Sequence, residues 1–271
     1  MFEFHKDKET YFNYQKENAS KWVIPFIEKG QQLFPGMNVL EIGCAEGGVL
    51  KAFLDRGCVG VGVELSHSRA ELARNFLKQE IADHRVSIIA KDIYDVSFSN
   101  EFKNVFDLII LKDVIEHIHD QTRLMKQLKL YLKPAGKIFF GFPPWYMPFG
   151  GHQQVCKNKV LSKLPYYHLL PMPLYKWVLK LGGESQQVIT DMAEIKETGI
   201  SIERFEKILK QLRYSVDQRV FYFINPIYEY KFGWRTREQN KIVASIPWLR
   251  DVFTTAMYYL VGVEKKDIPE K

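Results

Sequence analysis

The chain has 271 residues, 46% of them hydrophobic and 26% charged, which is enough apolar mass for one large domain with a full core and too much for a disordered chain. The formal net charge is +6, and the surplus is uneven: Met1 to Phe142 carries 19 basic and 19 acidic residues, so all the excess positive charge lies in the second half, where it would attract an anionic substrate or surface. No apolar run approaches a membrane span, the start MFEFHKDKET has no apolar signal core, and Cys44, Cys58 and Cys156 lack metal-site spacing and read as reduced thiols of a cytoplasmic protein.

Residues Tyr11 to Lys29 carry Trp22, Val23, Phe26 and Ile27 at helical spacing, which predicts a helical cap over residues 1–36, ended by Pro35-Gly36. Met37 to Ile42 is a short apolar strand, followed by GCAEGG and a helix over Val49 to Leu54. Val59 to Glu64 is a second strand. Ser66 is placed to cap a helix running to Ile81. Val86 to Ala90 and Phe106 to Leu111 are the third and fourth strands. A helix ending at Leu132 is closed by Lys133-Pro-Ala-Gly136, and Lys137 to Phe142 is the fifth strand. The strands are apolar on both faces and alternate with helices, so the chain is read as α/β, a doubly wound and mostly parallel sheet covered on both sides. Such sheets bind ligands beyond the C-terminal strand ends, where the acidic and glycine residues of this sequence fall.

After Phe142 the alternation stops. Residues 143–200 are rich in Pro, Tyr, Leu and Lys and are expected to form an inserted aromatic lid. A helix from Ile202 to Leu212 and a strand from Val216 to Ile224 follow, then a second basic and aromatic insertion near 225–250. TTAMYYLVGV, Thr254 to Val263, fits a core strand, a buried helix or an interfacial membrane segment. Its paired tyrosines and branched residues favour the strand.

The strand-to-glycine-turn VLEIGCAEGG lets backbone approach a ligand closely at a helix N-terminus. Glu64 ends the next strand, where a carboxylate can accept from two ribose hydroxyls, and Asp92 ends the third, within reach of an adenine edge. With VGVELS, AKDIYD, FDLIILKDVIEHI and LKPAGKIFFGFP, this series resembles the ordered motifs of class I S-adenosylmethionine-dependent methyltransferases, in the small-molecule and quinone-type branch with a DVIEHI-like motif. The resemblance covers residues 37–142 closely and 201–224 and 254–265 loosely. A dinucleotide-binding fold would leave DVIEHI and the tail unexplained.

The resemblance implies a seven-stranded sheet of order 3-2-1-4-5-7-6 with the last strand antiparallel, S-adenosylmethionine as cofactor, S-adenosylhomocysteine as product, and no metal. It implies that Glu41 and the backbone of Gly43, Cys44 and Ala45 surround the methionine part, that Gly47 packs the turn, that Glu64 binds the ribose and that Leu65 packs on the adenine. Asp92 and Ile93 would read the adenine edge, and Lys112 with Asp113 would line the floor beside the sulfonium. Ala45 stands where the family's turn usually has its middle glycine, and the turn is expected to survive with a negative φ there.

Phe142-Pro-Pro-Trp145 looks like the loop that holds a flipped base in some nucleic-acid methyltransferases, but that loop follows the fourth strand and this one follows the fifth. The stretch is therefore read as part of an acceptor pocket, with Pro143-Pro144 stiffening its entry and Gly150-Gly151 giving a hinge or a close approach. Trp145, Tyr146, Phe149, Tyr166 and Tyr167 are the candidate pocket aromatics. His152 and His117 are the candidate bases, Asp113 could orient either, and His168 ranks behind them. The leading reading is O-methylation of a small molecule or of a lipid- or sugar-linked acceptor, one bearing phosphate or carboxylate. The alternatives are an RNA or protein methyltransferase, against which stands the lack of a separate RNA-binding module, and a non-catalytic cofactor-binding protein. YYHLLPMPLYKWVLKL, Tyr166 to Leu181, mixes Leu, Trp and Lys as an interfacial segment does, with Pro171 and Pro173 limiting any helix to Leu174–Leu181, and leaves room for peripheral contact at the inner membrane face.

Overall fold

A computed structural model describes residues 7–264; the first six residues of the predicted cap, with most of the charged start, and residues 265–271 of the C-terminal part lie outside the described residues. Helix α1 (Lys8–Asn18) starts where the Asp7 carboxylate accepts from the N–H groups of Glu9 and Thr10. A π-helical turn (Ala19–Val23) joins it to α2 (Ile24–Glu28). Then come β1 (Asn38–Ile42), α3 (Gly48–Asp55), β2 (Val59–Val63), α4 (His67–Phe76), α5 (Lys78–Ala82), β3 (Val86–Ile89), α6 (Val96–Glu101), β4 (Phe106–Lys112), α7 (Gln121–Tyr131) and β5 (Leu132–Phe142). Ser66 caps α4 by accepting from the Arg69 N–H, as expected, but the helix expected to run to Ile81 breaks at Leu77, whose φ of −105° and ψ of 19° are not helical.

The insertion after β5 contains short 3-10 turns and two helices, α8 (Met172–Leu181) and α9 (Gln186–Thr198). Pro173 does not delay α8: it sits in the first turn, where a missing N–H costs nothing, so the helix starts two residues earlier than expected. The chain continues through α10 (Ile202–Gln211), β6 (Tyr214–Ile224), α11 (Tyr228–Phe232), β7 (Arg237–Glu238), α12 (Lys241–Ser245), α13 (Leu249–Phe253) and β8 (Ala256–Val263). Among the described residues, no helix is long and apolar enough to cross a membrane.

The sheet order is β3-β2-β1-β4-β5-β8-β6-β7. With β8 counted as the expected seventh strand this is the predicted order, extended by the two-residue edge strand β7. Strands β1 to β5 are parallel, and β8 runs antiparallel to both β5 and β6. Alternation sorts side chains between two layers. Phe139 and Tyr258 meet Phe26 on the side covered by α1 to α3, with ring centroids 5.9 and 5.7 Å away. Phe140 and Tyr259 meet Phe205 of α10 on the other side, 5.0 and 5.1 Å away. The lid has its own small core of Leu161, Tyr167, Tyr175, Leu179, Ile189 and Met192.

Candidate active site

The C-terminal ends of β1 and β4 open onto a small cleft with a cavity of about 90 Å3. Glu41, Gly43, Cys44, Ala45, Lys112 and Asp113 line it, as does Glu46, and Tyr11, Phe12 and Gln15 of α1 roof it. A broader depression at Gly233, Trp234 and Thr236 shares none of these residues. Gly43 and Gly47 take φ of +68° and +86°, so the turn needs glycine at both. Ala45 also adopts a left-handed φ, +49°, which corrects the expectation of a negative value. The strain of about 1–2 kcal/mol is offset by a charge-assisted hydrogen bond of about 1.5–3 kcal/mol, since the Ala45 N–H donates to Glu64 Oε2 at 3.0 Å. Glu64 Oε1 accepts from the Ser66 N–H at 2.9 Å, so one buried carboxylate ties together the loops after β1 and β2. Leu65 beside it is 70% exposed. Asp92 is exposed, its carboxylate accepting from the Tyr94 N–H at 2.9 Å, and Ile93 is buried.

The acids and bases at the cleft floor are strongly perturbed. Burial pushes Glu41 up to about 8, against the Leu50 N–H that donates to it at 2.9 Å and the nearby Lys112 charge. Lys112 donates to Asp113 at 2.6 Å. Burial disfavours the Lys112 ammonium, but Asp113, Tyr258 and Tyr11 together win and raise its pKa. Burial works against the Asp113 carboxylate too, but Lys112, Lys231 and His152 hold it below the usual range.

Asp113 has φ +56°, which turns the chain sharply out of β4 into the 3-10 turn Ile115–His117. The Thr198 hydroxyl at the end of α9 donates to the Glu116 carbonyl at 2.7 Å, which fastens α9 to this turn, and the Trp145 N–H donates to the Ile200 carbonyl at 2.9 Å, which ties the residue after α9 back to the loop after β5. The fastening brings together two histidines 35 residues apart in sequence: the rings of His117 and His152 lie 5.0 Å apart, edge to face. Burial drives His152 down to about 4, with His117 adding to it and Asp113 opposing. His117 is lowered chiefly by burial. Both imidazoles are therefore neutral near pH 7. His117 and Asp113 nevertheless keep 42% and 44% of their side-chain surface accessible, as groups lining a concavity do.

The lid aromatics divide. Trp145 packs flat on Gly199, where a Cβ would fall 2.2 Å from the indole, and Tyr167 is buried in the lid core with its hydroxyl 3.3 Å from Cys156 Sγ. Tyr146 and Phe149 are half-buried, Tyr146 contacting Trp248 across 6.3 Å, and Tyr166 has a left-handed φ of +63°. His168 is a brace: Gln153 donates to its Nδ1 at 2.8 Å and its Nε2 donates to the Trp145 carbonyl at 2.9 Å. Gly150 and Gly151 provide close approach, since a Cβ would meet the Trp145 carbonyl at 2.1 Å or His168 at 2.4 Å.

Sequence reasoning missed four groups. Glu46 is buried with Oε1 taking Lys8 at 2.8 Å and Oε2 without a hydrogen-bond partner. Its place inside GCAEGG was the available signal. Glu116 is buried beside His117. Tyr11 comes from the cap, and Lys231 from α11, where burial lowers its pKa to about 8 against the pull of Asp113. Nothing in the local sequence marks these last two.

The methyltransferase domain family matches residues 11–148, just over half of the chain. Among curated relatives, a ubiquinone biosynthesis O-methyltransferase of Coxiella burnetii is 29% identical over 117 residues, covering 43% of this chain and 47% of that protein. The sterol 4-C-methyltransferase strm-1 of Caenorhabditis elegans is 28% identical over 136 residues, covering 50% of this chain and 40% of that one. The matched region thus spans less than half the length of these relatives. A solved geranyl diphosphate C-methyltransferase from Streptomyces coelicolor A3(2), in complex with Mg2+, geranyl diphosphate and S-adenosyl-L-homocysteine, has a similar fold at a TM-score of 0.55 and 13% identity, covering 88% of this chain and 77% of that one. The strand order, the glycine turn with its tethered Glu64 and the family match converge: the chain belongs to the methyltransferase domain family and has the class I S-adenosylmethionine-dependent fold.

Proposed function

We propose that the protein transfers a methyl group from S-adenosylmethionine to an oxygen of a small molecule or of a lipid- or sugar-linked acceptor. The observation that carries this reading is the joining of two chemistries at one strand end: an acid-lined cleft under the β1 turn, and neutral histidines over Asp113 beside it. The residues present fit the cofactor. Glu46 and Glu64 are buried acidic side chains around the turn, suited to an ammonium group and ribose hydroxyls; Glu41, raised to about 8 by burial, adds a hydrogen-bonding carboxyl group, and Glu46 Oε2 is a buried acceptor with no hydrogen bond. S-adenosylmethionine, when bound, supplies an electrophilic methyl group and a neutral thioether leaving group. The chain's own work is then alignment and proton handling. Gly43 and Ala45 hold the turn in place through N–H bonds to the Val63 carbonyl and the Glu64 carboxylate, Tyr11 and Phe12 exclude water from above, and His152 or His117 takes the proton of an acceptor hydroxyl, with Asp113 favouring the imidazolium that forms. Lys231 adds a cation for an acceptor phosphate or carboxylate.

Peripheral attachment to an anionic membrane accompanies this reading. Helix α8 exposes Leu174, Trp177 and Leu181, Trp177 by 56%, between Lys176 and Lys180, and Val160 and Leu164 are exposed near Lys157, Lys159 and Lys163. Flotation with anionic vesicles at low salt checks it; absence of co-migration refutes it.

The acceptor class is tested with methyl-labelled S-adenosylmethionine, purified protein and a bacterial lysate separated into lipid, small-molecule, RNA and protein fractions. Label is expected in the lipid or small-molecule fraction, and is expected to vanish with Glu64→Ala. Label in RNA or protein alone overturns the reading. Binding of S-adenosylhomocysteine without turnover on any fraction would favour a non-catalytic protein.

A further inference from the structure

We infer that Glu116, His117 and His152 form a binding site for one divalent transition-metal cation. One carboxylate oxygen and one nitrogen from each imidazole lie within 4.8 Å of one another, and the Glu116 Oε1 to His117 Nε2 distance is 3.9 Å. Ligands at about 2.0–2.2 Å from a zinc-sized cation sit roughly 3.4 Å apart when tetrahedral, so closure needs side-chain movements of about an ångström and no change of backbone. Two imidazoles and a carboxylate are a donor set that suits Zn2+, Co2+ or Ni2+ better than the all-oxygen shells of Ca2+ or Mg2+.

A second observation points the same way. Glu116 is only 4% exposed, and neither of its carboxylate oxygens has a hydrogen-bond partner. More than nine in ten buried polar groups find a partner. Lys112, whose charge acts on Glu116, is committed to Asp113 at 2.6 Å. The backbone around Glu116 is fixed, because its carbonyl accepts from Thr198 and the Gln121 amide donates to the Thr198 carbonyl at 2.6 Å. His152 is fixed as well: it has a left-handed φ of +55°, and its N–H donates to the Phe149 carbonyl at 3.1 Å. An anchored, buried acceptor facing two imidazoles lacks one component, and a cation supplies it.

Three protein ligands leave a tetrahedral or octahedral cation at least one open position, the pattern of catalytic rather than structural sites. His117 keeps 42% of its side chain accessible, so that position is reached from solvent. The site goes beyond the methyl-transfer reading and stands or falls on metal binding alone; with the cation bound, His117 and His152 are its ligands and not bases, so the proton-accepting role given to them above belongs to the metal-free protein. It departs from the expectation of a metal-free protein because His152 reaches Glu116 and His117 only through the fold of the lid.

The test is titration of untagged, EDTA-treated full-length protein with Zn2+ alone by calorimetry, and with Co2+ by visible absorption. One equivalent is expected to bind with micromolar or tighter affinity, and Co2+ is expected to give the intense bands of a four- or five-coordinate ion. Glu116→Gln and His152→Ala should each weaken binding tenfold or more. S-adenosylhomocysteine affinity of the same variants reports that the cofactor half remains folded. If a variant misfolds, His117→Ala or diethylpyrocarbonate protection by Zn2+ on the wild type replaces it. No binding by wild type, or binding unchanged in these variants, overturns the site, whatever the acceptor proves to be.

Discussion

Gly48→Ala probes how the cap closes the cleft. Gly48 opens α3 directly beneath α1, and a Cβ there would lie 2.4 Å from the Phe12 carbonyl oxygen, 3.2 Å from the Phe12 carbonyl carbon and 2.9 Å from Gln15 Cβ. Helix α1 would have to lift by about an ångström to restore van der Waals contact. Replacing a helical glycine with alanine ordinarily gains about 0.5–1 kcal/mol, whereas overpacking costs about 1–3 kcal/mol. The second effect wins because the clash is with backbone, which cannot rotate away. A net destabilisation of about 0.5–2 kcal/mol follows, which for a domain of this size lowers the melting temperature by roughly 1–8 °C. Tyr11, Phe12 and Gln15 all line the cleft, so S-adenosylhomocysteine binding should weaken in parallel. Calorimetric melting and binding titration of the two proteins measure both effects. A variant as stable as wild type and with unchanged affinity would refute the docking of α1 against α3 and its role as roof.

Two further outcomes follow from buried carboxylates. Glu64→Gln places an amide N–H2 against the Ala45 or Ser66 N–H, removes one charge-assisted hydrogen bond worth about 1.5–3 kcal/mol, and should weaken S-adenosylhomocysteine binding tenfold or more by titration; unchanged affinity would count against the tether. Asp251 accepts from the Ile202 N–H at 3.1 Å, and burial followed by its contact with Glu203 raises it from 3.8 to about 9. The folded state therefore holds a proton that the unfolded chain has released between those values. Stability falls as pH rises through that window, by at most about 1.4 kcal/mol per pH unit. Asp251→Asn should flatten the decline in denaturant melts between pH 6 and 9, and superimposable curves would refute it.

Local sequence was enough for the strands and the glycine turn after β1, because each is written in a contiguous stretch. Short apolar runs such as VLEI and IFFGF, bounded by turn residues, fit buried strands between two layers, and glycines at Gly43 and Gly47 follow from a turn that needs positive φ. Even the seventh strand, ambiguous by periodicity, was placed by the order of motifs before it. Ala45 shows where local reasoning fails: its φ is set by a hydrogen bond to Glu64, 19 residues away, which outweighs the strain.

The packing of the segment after β5 was decided by tertiary structure. Trp145 and Tyr167 look like pocket aromatics in sequence, but Gly199 and Cys156 receive them inside the lid. Lys231 and Tyr11 reach the cleft region from an insertion and from the cap, with no periodic signal to announce them. Glu116 and His117 meet His152 where Thr198 joins the end of α9 to the turn after β4 and Ile200 joins it to Trp145 in the loop after β5. Contacts of that kind depend on chain closure over many residues rather than on neighbours three or four apart, so composition and spacing could name the histidines but not bring them together.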